Sequence, residues 1–317
     1  MNFQQLRSVR EAQRRGFNLT EVAAALHTSQ PGVSRQIREL EDELGIEIFV
    51  RAGKRLTGLT EPGRTVLPIV ERLLLEADNL RRAGDDFARA DRGVLRIAAT
   101  HSQARYALPP VVRDFRLSHP DVEFHLQQGS PQQVAQLLLD GEADIGIATE
   151  ALAQYDELLA LPCYRWTHTV LTPVNHPLAE VVRQGEPLTL DALSAYAIVT
   201  YESGYTGRSH IDAAFKAANV PLNVVLAAMD ADVIKTYVEL GLGIGIVAAI
   251  AYDEQRDRQL AALDARHLFA DNLTRLALRR DAFLRDYAYS FIESFAPPWT
   301  RAAVQDLREG VSLRIAA

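Results

Sequence analysis

The 317-residue sequence predicts an α/β protein in two unequal parts, a helical N-terminal block and a longer region in which strands and helices alternate. Three observations carry this. Residues 20–45 read as two short helices with a tight break between them. Residues 61 to about 89 read as one long amphipathic helix. From Gly93 onward, short apolar strands alternate with helices. Hydrophobic residues make up 48% and charged residues 24%, as in ordinary globular proteins, and the length allows one or two domains with ample core.

In the N-terminal block, the first helix of the pair is expected to start at Thr20 as N-cap, with Val22, Ala23 and Leu26 on one face. His27-Thr28 interrupts it. Thr28 or Ser29 then caps a second helix, with Pro31 and Gly32 in its first turn. Val33, Ile37, Leu40 and Leu44 form a single apolar stripe, and Gly45 stops the helix. Gln30, Ser34, Arg35 and Arg38 lie off that stripe. A helix packed through one face, with Gln, Ser and Arg on the other, suits a DNA major groove: Gln reads adenine edges, Arg reads guanine, and Ser or Arg holds phosphate. An ordinary amphipathic hairpin would show the same stripe, so the next segment matters. Glu47–Arg51 and Arg55–Leu59 form a hairpin around Ala52-Gly53-Lys54, which places Arg51, Lys54 and Arg55 as a basic wing beside the helix. Glu39, Glu41, Asp42 and Glu43 mark the far half of the recognition helix, which should point away from phosphate.

Thr60-Glu61-Pro62-Gly63 opens the long helix, with a cap and a first-turn proline. Val66, Val70, Leu73, Leu74, Ala77, Leu80 and Ala83 give it a sustained apolar face. The simplest burial for such a face is a coiled-coil-like contact with a second chain. The expected boundaries are a winged helix-turn-helix at 1–59, a linker and dimerisation helix with hinge at 60–92, and a two-lobed α/β domain at 93–317.

In that last region, Val94–Ala99, Val122–Gln127 and Ala143–Ala148 read as strands, and Leu108–Ser118 and Pro131–Leu139 as helices. A second lobe runs from about 164 to 267. The chain then returns through strand Thr274–Leu278 and a helix near Leu284–Phe295, so the first lobe comprises about 93–163 and 268–295.

Charge narrows the function. Residues 1–90 hold 14 Lys and Arg against 13 Asp and Glu, net +1; the remainder holds 20 against 28, net −8. Any DNA contact must therefore come from a local basic face in the first third. Cys163 is the only cysteine, which excludes an intrachain disulfide and a multi-cysteine metal site, and reads as a small buried hydrophobe. Two methionines and one cysteine are few. Such a count suits a protein made when sulfur is scarce, and the drift shown by 31 Arg against 3 Lys explains it equally well. The N-terminus carries no apolar signal core and no apolar run is long enough to span a bilayer, which predicts a cytoplasmic chain with no membrane contact.

The N-terminal block resembles LysR-type transcriptional regulators at Ala23–Leu26, Ser29–Ser34, Ile37–Glu41, Leu44-Gly45, Phe49 and Leu59–Gly63. Over the rest of the chain the resemblance narrows to the CysB-type subgroup, regulators of sulfur and sulfonate assimilation. Its marks are Thr100–Tyr106, Gln128–Pro131, Ile147–Ala151, Leu161–Tyr164, Thr206–Arg208 and Asp230–Tyr237. The resemblance implies that the two lobes form a type II periplasmic-binding-protein-like effector domain. It also implies that Ser29, Gln30, Pro31, Ser34, Arg35, Arg38, Arg51, Lys54 and Arg55 form the DNA face. Promoter double-stranded DNA, RNA polymerase and further copies of the chain are the implied partners, with dimers through the linker helix and tetramers beyond.

Ligands of open α/β sheets bind at the carboxyl ends of strands, where Thr100, Ser102, Gln103, Gly129, Ser130 and Thr149 fall. In the subgroup, positions matching Thr100, Ser102, Gln103 and Thr149 hold a small effector of the sulfate, thiosulfate, O-acetylserine or N-acetylserine class. No other cofactor and no metal is expected. Position 102 is usually Thr, so Ser102 keeps the hydroxyl and loses a methyl. Glu202, where the subgroup carries Thr, is the main departure. A carboxylate facing an anion opposes it by on the order of 4 kcal/mol at an effective dielectric near 20, and favours a ligand that also carries an ammonium.

Gly243-x-Gly245-x-x-Ala248 matches the loose dinucleotide fingerprint, but it follows a helix and itself reads as a strand. A solute-binding protein for a small oxyanion would explain residues 93–295 but not the winged helix. An enzyme is not expected, since neither a phosphate-binding loop nor a nucleophile elbow occurs.

Overall fold

The computed structural model describes residues 1–53, 55–88 and 92–309, with the backbone alone at Glu150. The chain divides into two units, Met1–Phe87 and Ala88–Ala317. Lys54 lies outside the described residues.

The first unit comprises α1 (Phe3–Arg14), α2 (Leu19–Ala25), α3 (Gln30–Leu44), a hairpin of β1 (Phe49–Ala52) and β2 (Arg55–Leu59), and α4 (Glu61–Ala88). Leu6, Val9, Val22, Val33, Ile37, Leu40, Ile48 and Phe49 form its core. Ser29 caps α3 by accepting from the Gly32 N–H, and Gly45 ends it with φ 66°. Two local expectations need correction. The cap of α2 is Asn18, whose carboxamide accepts from the Thr20 and Glu21 N–H groups and leaves Thr20 inside the first turn. Leu44 is exposed, and Glu41 is buried in its stead. The Glu41 carboxylate accepts from the backbone N–H of Ile48 at 2.8 Å and of Phe49 at 3.1 Å and pairs with Arg51, so it fastens α3 to the start of the wing.

The long helix has two apolar faces. Gly63 sits where a Cβ would lie 2.0 Å from the Ile48 carbonyl oxygen, so glycine is required for the close approach of α4 to the wing. Leu67, Val70 and Leu74 are buried in the unit's own core. Val70 and Leu74 are therefore not interface residues. Ile69, Leu73, Leu80 and Phe87 point outward, 41–94% exposed, at spacings of four, seven and seven. That is the repeat of a coiled-coil seam.

The second unit holds β3 (Gly93–Ala99), α5 (Leu108–Ser118), β4 (Val122–Gln128), α6 (Pro131–Leu139), β5 (Ile145–Ala148), β6 (Leu158–Trp166), β7 (His168–Pro173), α7 (Pro177–Arg183), α8 (Leu190–Ser194), β8 (Ile198–Tyr201), α9 (Arg208–Ala218), β9 (Val224–Ala228), α10 (Ala231–Glu239), β10 (Ile244–Ala248), β11 (Leu260–Asp264), β12 (Asn272–Arg279), α11 (Asp286–Phe295) and α12 (Arg301–Arg308). Two five-stranded sheets result, ordered β4-β3-β5-β12-β6 and β11-β7-β10-β8-β9. In each, four strands run in one direction and a single strand, β12 in the first and β7 in the second, runs against them. The chain crosses between the lobes twice, at Thr167 and between β11 and β12. Gly243-x-Gly245 leads into and along β10, where Cβ atoms would meet the Ala197 carbonyl oxygen at 2.2 Å and Val238 Cγ2 at 2.9 Å. These glycines serve close packing, and the dinucleotide reading falls. Among the described residues no helix is long and apolar enough to cross a membrane.

Candidate functional site

Two surfaces hold the residues singled out by sequence. On the first unit, Ser29, Gln30, Pro31, Arg35 and Arg38 are exposed along the N-terminal part of α3, with Ser34 half-buried beside them and Arg55 exposed on β2. A groove of about 510 Å³, lined in part by Asn18, Thr20, Gln30 and Arg55, opens beside the start of α3. Arg51 differs from its neighbours: its guanidinium is half-buried against Glu41, so it supports the wing from within. Arg35 Nε donates to Glu39 Oε1 at 2.7 Å, and Gln5 Nε2 donates to Glu39 Oε2 at 3.2 Å. The bonds from Arg35 and Gln5 hold the Glu39 carboxyl below the ordinary carboxylate range. An exposed pair one turn apart is weak, so a base edge can displace Glu39 from a guanidinium already extended along the helix.

The second surface lies at the carboxyl ends of the lobe I strands. Thr100 follows β3 and its N–H donates to the Ile147 carbonyl of β5 at 3.1 Å, which brings it beside Thr149 at the end of that strand. From His101 the chain enters a helical segment that widens into a π-turn, Gln103–Ala107, and continues as α5. Its first-turn N–H groups, at His101, Ser102 and Gln103, have no intrahelical acceptor. Thr100, Ser102, Gln103 and Thr149 are all buried, none more than 6% exposed. The Ser102 hydroxyl makes no well-formed hydrogen bond, with the Tyr201 phenol of lobe II as its polar neighbour. Burial pushes that phenol up to about 12, so it stays a neutral donor. Gln103 is fixed on both sides: Tyr164 donates to its Oε1, and its Nε2 donates to Thr274 Oγ1 at 3.2 Å. Thr274 is thus a site-shaping residue that local motif reading missed, being 171 residues from its partner, and Tyr164, quoted above only as part of a motif, is another.

The remaining candidates are less committed. Gly129 extends β4 by donating to the Ala99 carbonyl. Ser130 caps α6 in a reciprocal box with Gln133, so its hydroxyl and N–H already have partners. Glu202 follows β8 and is exposed. Cys163 lies against the lobe I core, where burial pushes its thiol up to about 12, as an inert hydrophobe requires. The set offers neutral hydroxyl, amide and N–H donors, suited to a small anion held by hydrogen bonds.

Comparison with known proteins identifies the two parts of the chain. Residues 3–64 match the model described as bacterial regulatory helix-turn-helix protein, lysR family, and residues 88–297 match the LysR substrate binding domain. The chain belongs to the LysR family. It is 59% identical over 312 residues to the HTH-type transcriptional regulator SsuR of Burkholderia cenocepacia, covering 98% of this chain and 100% of the relative. It is 50% identical over 310 residues to CysB of the same organism, with 98% of each covered. It is 54% identical over 293 residues to cbl of Escherichia coli, with 92% of each covered. Among solved structures, the cofactor-binding domain of the Cbl transcriptional regulator aligns with TM-score 0.65 at 46% identity, covering 69% of this chain and 93% of that one. Full-length OxyR from Pseudomonas aeruginosa, 20% identical, aligns with TM-score 0.70 over 95% of this chain and 98% of that one, which shows the shared fold. The protein is a LysR-family helix-turn-helix transcriptional regulator, and the reading as a free-standing solute-binding protein falls with the match at residues 3–64.

For a regulator of this family, Arg35→Ala is expected to cost about 1–3 kcal/mol at its own promoter, the loss of one good base contact. Arg55→Ala should weaken all DNA alike and flatten the salt dependence. Titration of promoter and scrambled duplexes at two salt concentrations checks both. Normal promoter binding by the Arg35 variant would remove α3 from the groove.

Proposed function

We propose that this LysR-family regulator controls genes of sulfur assimilation, for sulfate, cysteine or sulfonate, in response to a small oxyanion metabolite of that pathway. The observation that carries the reading is the buried, uncharged donor set of Thr100, Ser102, Gln103 and Thr149 with a Ser102 hydroxyl still unpaired. Its motifs and its similarity to SsuR, CysB and Cbl point to the pathway. Sulfate, thiosulfate, O-acetylserine and N-acetylserine share the acid group such a pocket takes. Gln30, Ser34, Arg35 and Arg38 read promoter DNA, while Arg55 and Lys54 hold its backbone. The outward seam of α4 pairs two chains, dimers assemble into tetramers, and the assembly engages RNA polymerase in the cytoplasm.

Transcript profiling of a deletion strain grown on sulfate and then on a sulfonate tests the pathway: the reading expects sulfur-uptake or sulfonate-use operons to change first, and unchanged sulfur operons would overturn it. Glu202 tunes the effector. Because its carboxylate is exposed, solvent screens its field, and the effect falls well below the bare charge-pair figure. Glu202→Thr is therefore expected to tighten sulfate binding by only a few fold. Calorimetry decides: equal or weaker sulfate binding by the Thr variant shows that Glu202 does not face the site.

A further inference from the structure

The π-turn Gln103–Ala107 carries Arg105 and Tyr106, and these two side chains reach the other lobe. Arg105 Nε donates to Asp232 Oδ2 at 3.1 Å, and the Tyr106 hydroxyl donates to Asp232 Oδ1 at 2.8 Å. Asp232 sits in the first turn of α10 in lobe II. The Tyr106 ring packs against the lobe II core that contains Tyr201, Ala231 and Ile234. Lys235 Nζ stands 5.4 Å above the centre of that ring. One turn of chain thus presents candidate effector donors at one end and a grip on the opposite lobe at the other.

We propose that Arg105, Tyr106 and Asp232 form an interlobe latch through which occupation of the Thr100–Gln103 turn sets the position of α10. The inference rests on the effector reading for its trigger but not for the latch itself. Its chemistry is that of a catch and not of a strut. Lys235 and Asp257, side chains 11% and 10% exposed, are joined at 3.1 Å, and Lys235 also donates to the Ala251 carbonyl. Breaking that pair would strand a buried charge. Asp232 and Arg105 are 41% and 50% exposed. When they part, water solvates the guanidinium, and Asp232 keeps Lys235, 3.1 Å away on its own helix, as a partner. Both arrangements leave every charge satisfied, so the two lie close in free energy. Burial alone would raise the Asp232 carboxyl, yet the bonds from Tyr106, Lys235 and Arg105 hold it at about 2, so it stays ionised at any physiological pH.

Amide hydrogen exchange on the full chain tests this, in the wild type, Asp232→Asn and Tyr106→Phe, each with and without inorganic sulfate. Tyr106→Phe keeps the packed ring and removes only the hydroxyl, so it guards against simple misfolding. Without sulfate, both variants should exchange faster at Gln103–Ala107 and at Ala231–Lys235 together, by about tenfold for the loss of a charge-assisted hydrogen bond, with β5 unaffected. With sulfate, wild type should gain protection in both segments and Asp232→Asn in the first alone. Wild-type exchange at both segments in the two variants would overturn the latch, and so would sulfate protection of α10 that survives Asp232→Asn. If sulfate protects nothing in wild type while both variants open both segments, the latch stands and sulfate as effector falls.

Discussion

Aspartate in place of Leu73 and Leu80 is expected to leave the N-terminal unit folded and to abolish pairing of two copies through α4. The two side chains are 41% and 75% exposed on the outward seam with Ile69 and Phe87, so a charge there meets water in a single chain and a like charge in a pair. A dimer that reads two half-sites binds through avidity, and losing one half lowers promoter affinity by about a hundredfold or more. Val70 and Leu74, each 2% exposed, lie on the other face of the same helix. Aspartate at both would place unpaired charges in the core at several kcal/mol each, enough to unfold a unit whose total stability is of order 5–15 kcal/mol. Sedimentation, melting and promoter titration separate the cases. Normal sedimentation and normal DNA affinity for the Leu73, Leu80 variant would remove α4 from the interface.

The second large effect lies in the lobe I pocket. Thr100→Val with Thr149→Val keeps the buried side chains close in size and removes two hydroxyls from the donor set. Each hydrogen bond to an anion contributes about 1–1.5 kcal/mol net, so the double variant should bind sulfate about 30- to 150-fold more weakly. Its melting temperature should change little, since valine fills the threonine space. Calorimetry on the full chain reads the affinity; an unchanged value would place the anion elsewhere.

The residues made the architecture readable to different depths. The Pro31 first turn and the Gly45 stop are local chemistry and stand where the sequence puts them, and of the two candidate caps, Thr28 and Ser29, the structure uses Ser29. Four strands of lobe I, at 94–99, 122–127, 143–148 and 274–278, follow from apolar runs between turns, whereas β6 and most strands of lobe II were not legible one by one. What failed was non-local. Helical periodicity placed Val70 and Leu74 with Leu73 and Leu80, because it cannot say which part of a broad apolar face meets the chain's own core. Glu41 read as one more surface acid, since nothing in its neighbours tells that two unpaired N–H groups of the wing would reach it. Arg51, expected beside the phosphate backbone, is also paired with Glu41, a contact that its sequence neighbours do not announce. In the cleft, the Thr100–Gln103 motif was legible, whereas Tyr164 and Thr274, which orient Gln103, come from distant strands. Helix α12 lies beyond the last element expected from the sequence.

The central claim is that one chain reads promoter DNA through α3 and adjusts that reading to an anion held at Thr100, Ser102, Gln103 and Thr149. The most direct test is a footprinting titration of the full-length protein on the promoter of a sulfonate-use operon, with and without sulfate or O-acetylserine. The account predicts a salt-sensitive footprint that one of these ligands shifts or weakens in wild type and leaves untouched in the Thr100→Val, Thr149→Val variant. A footprint that responds equally in both proteins would contradict it.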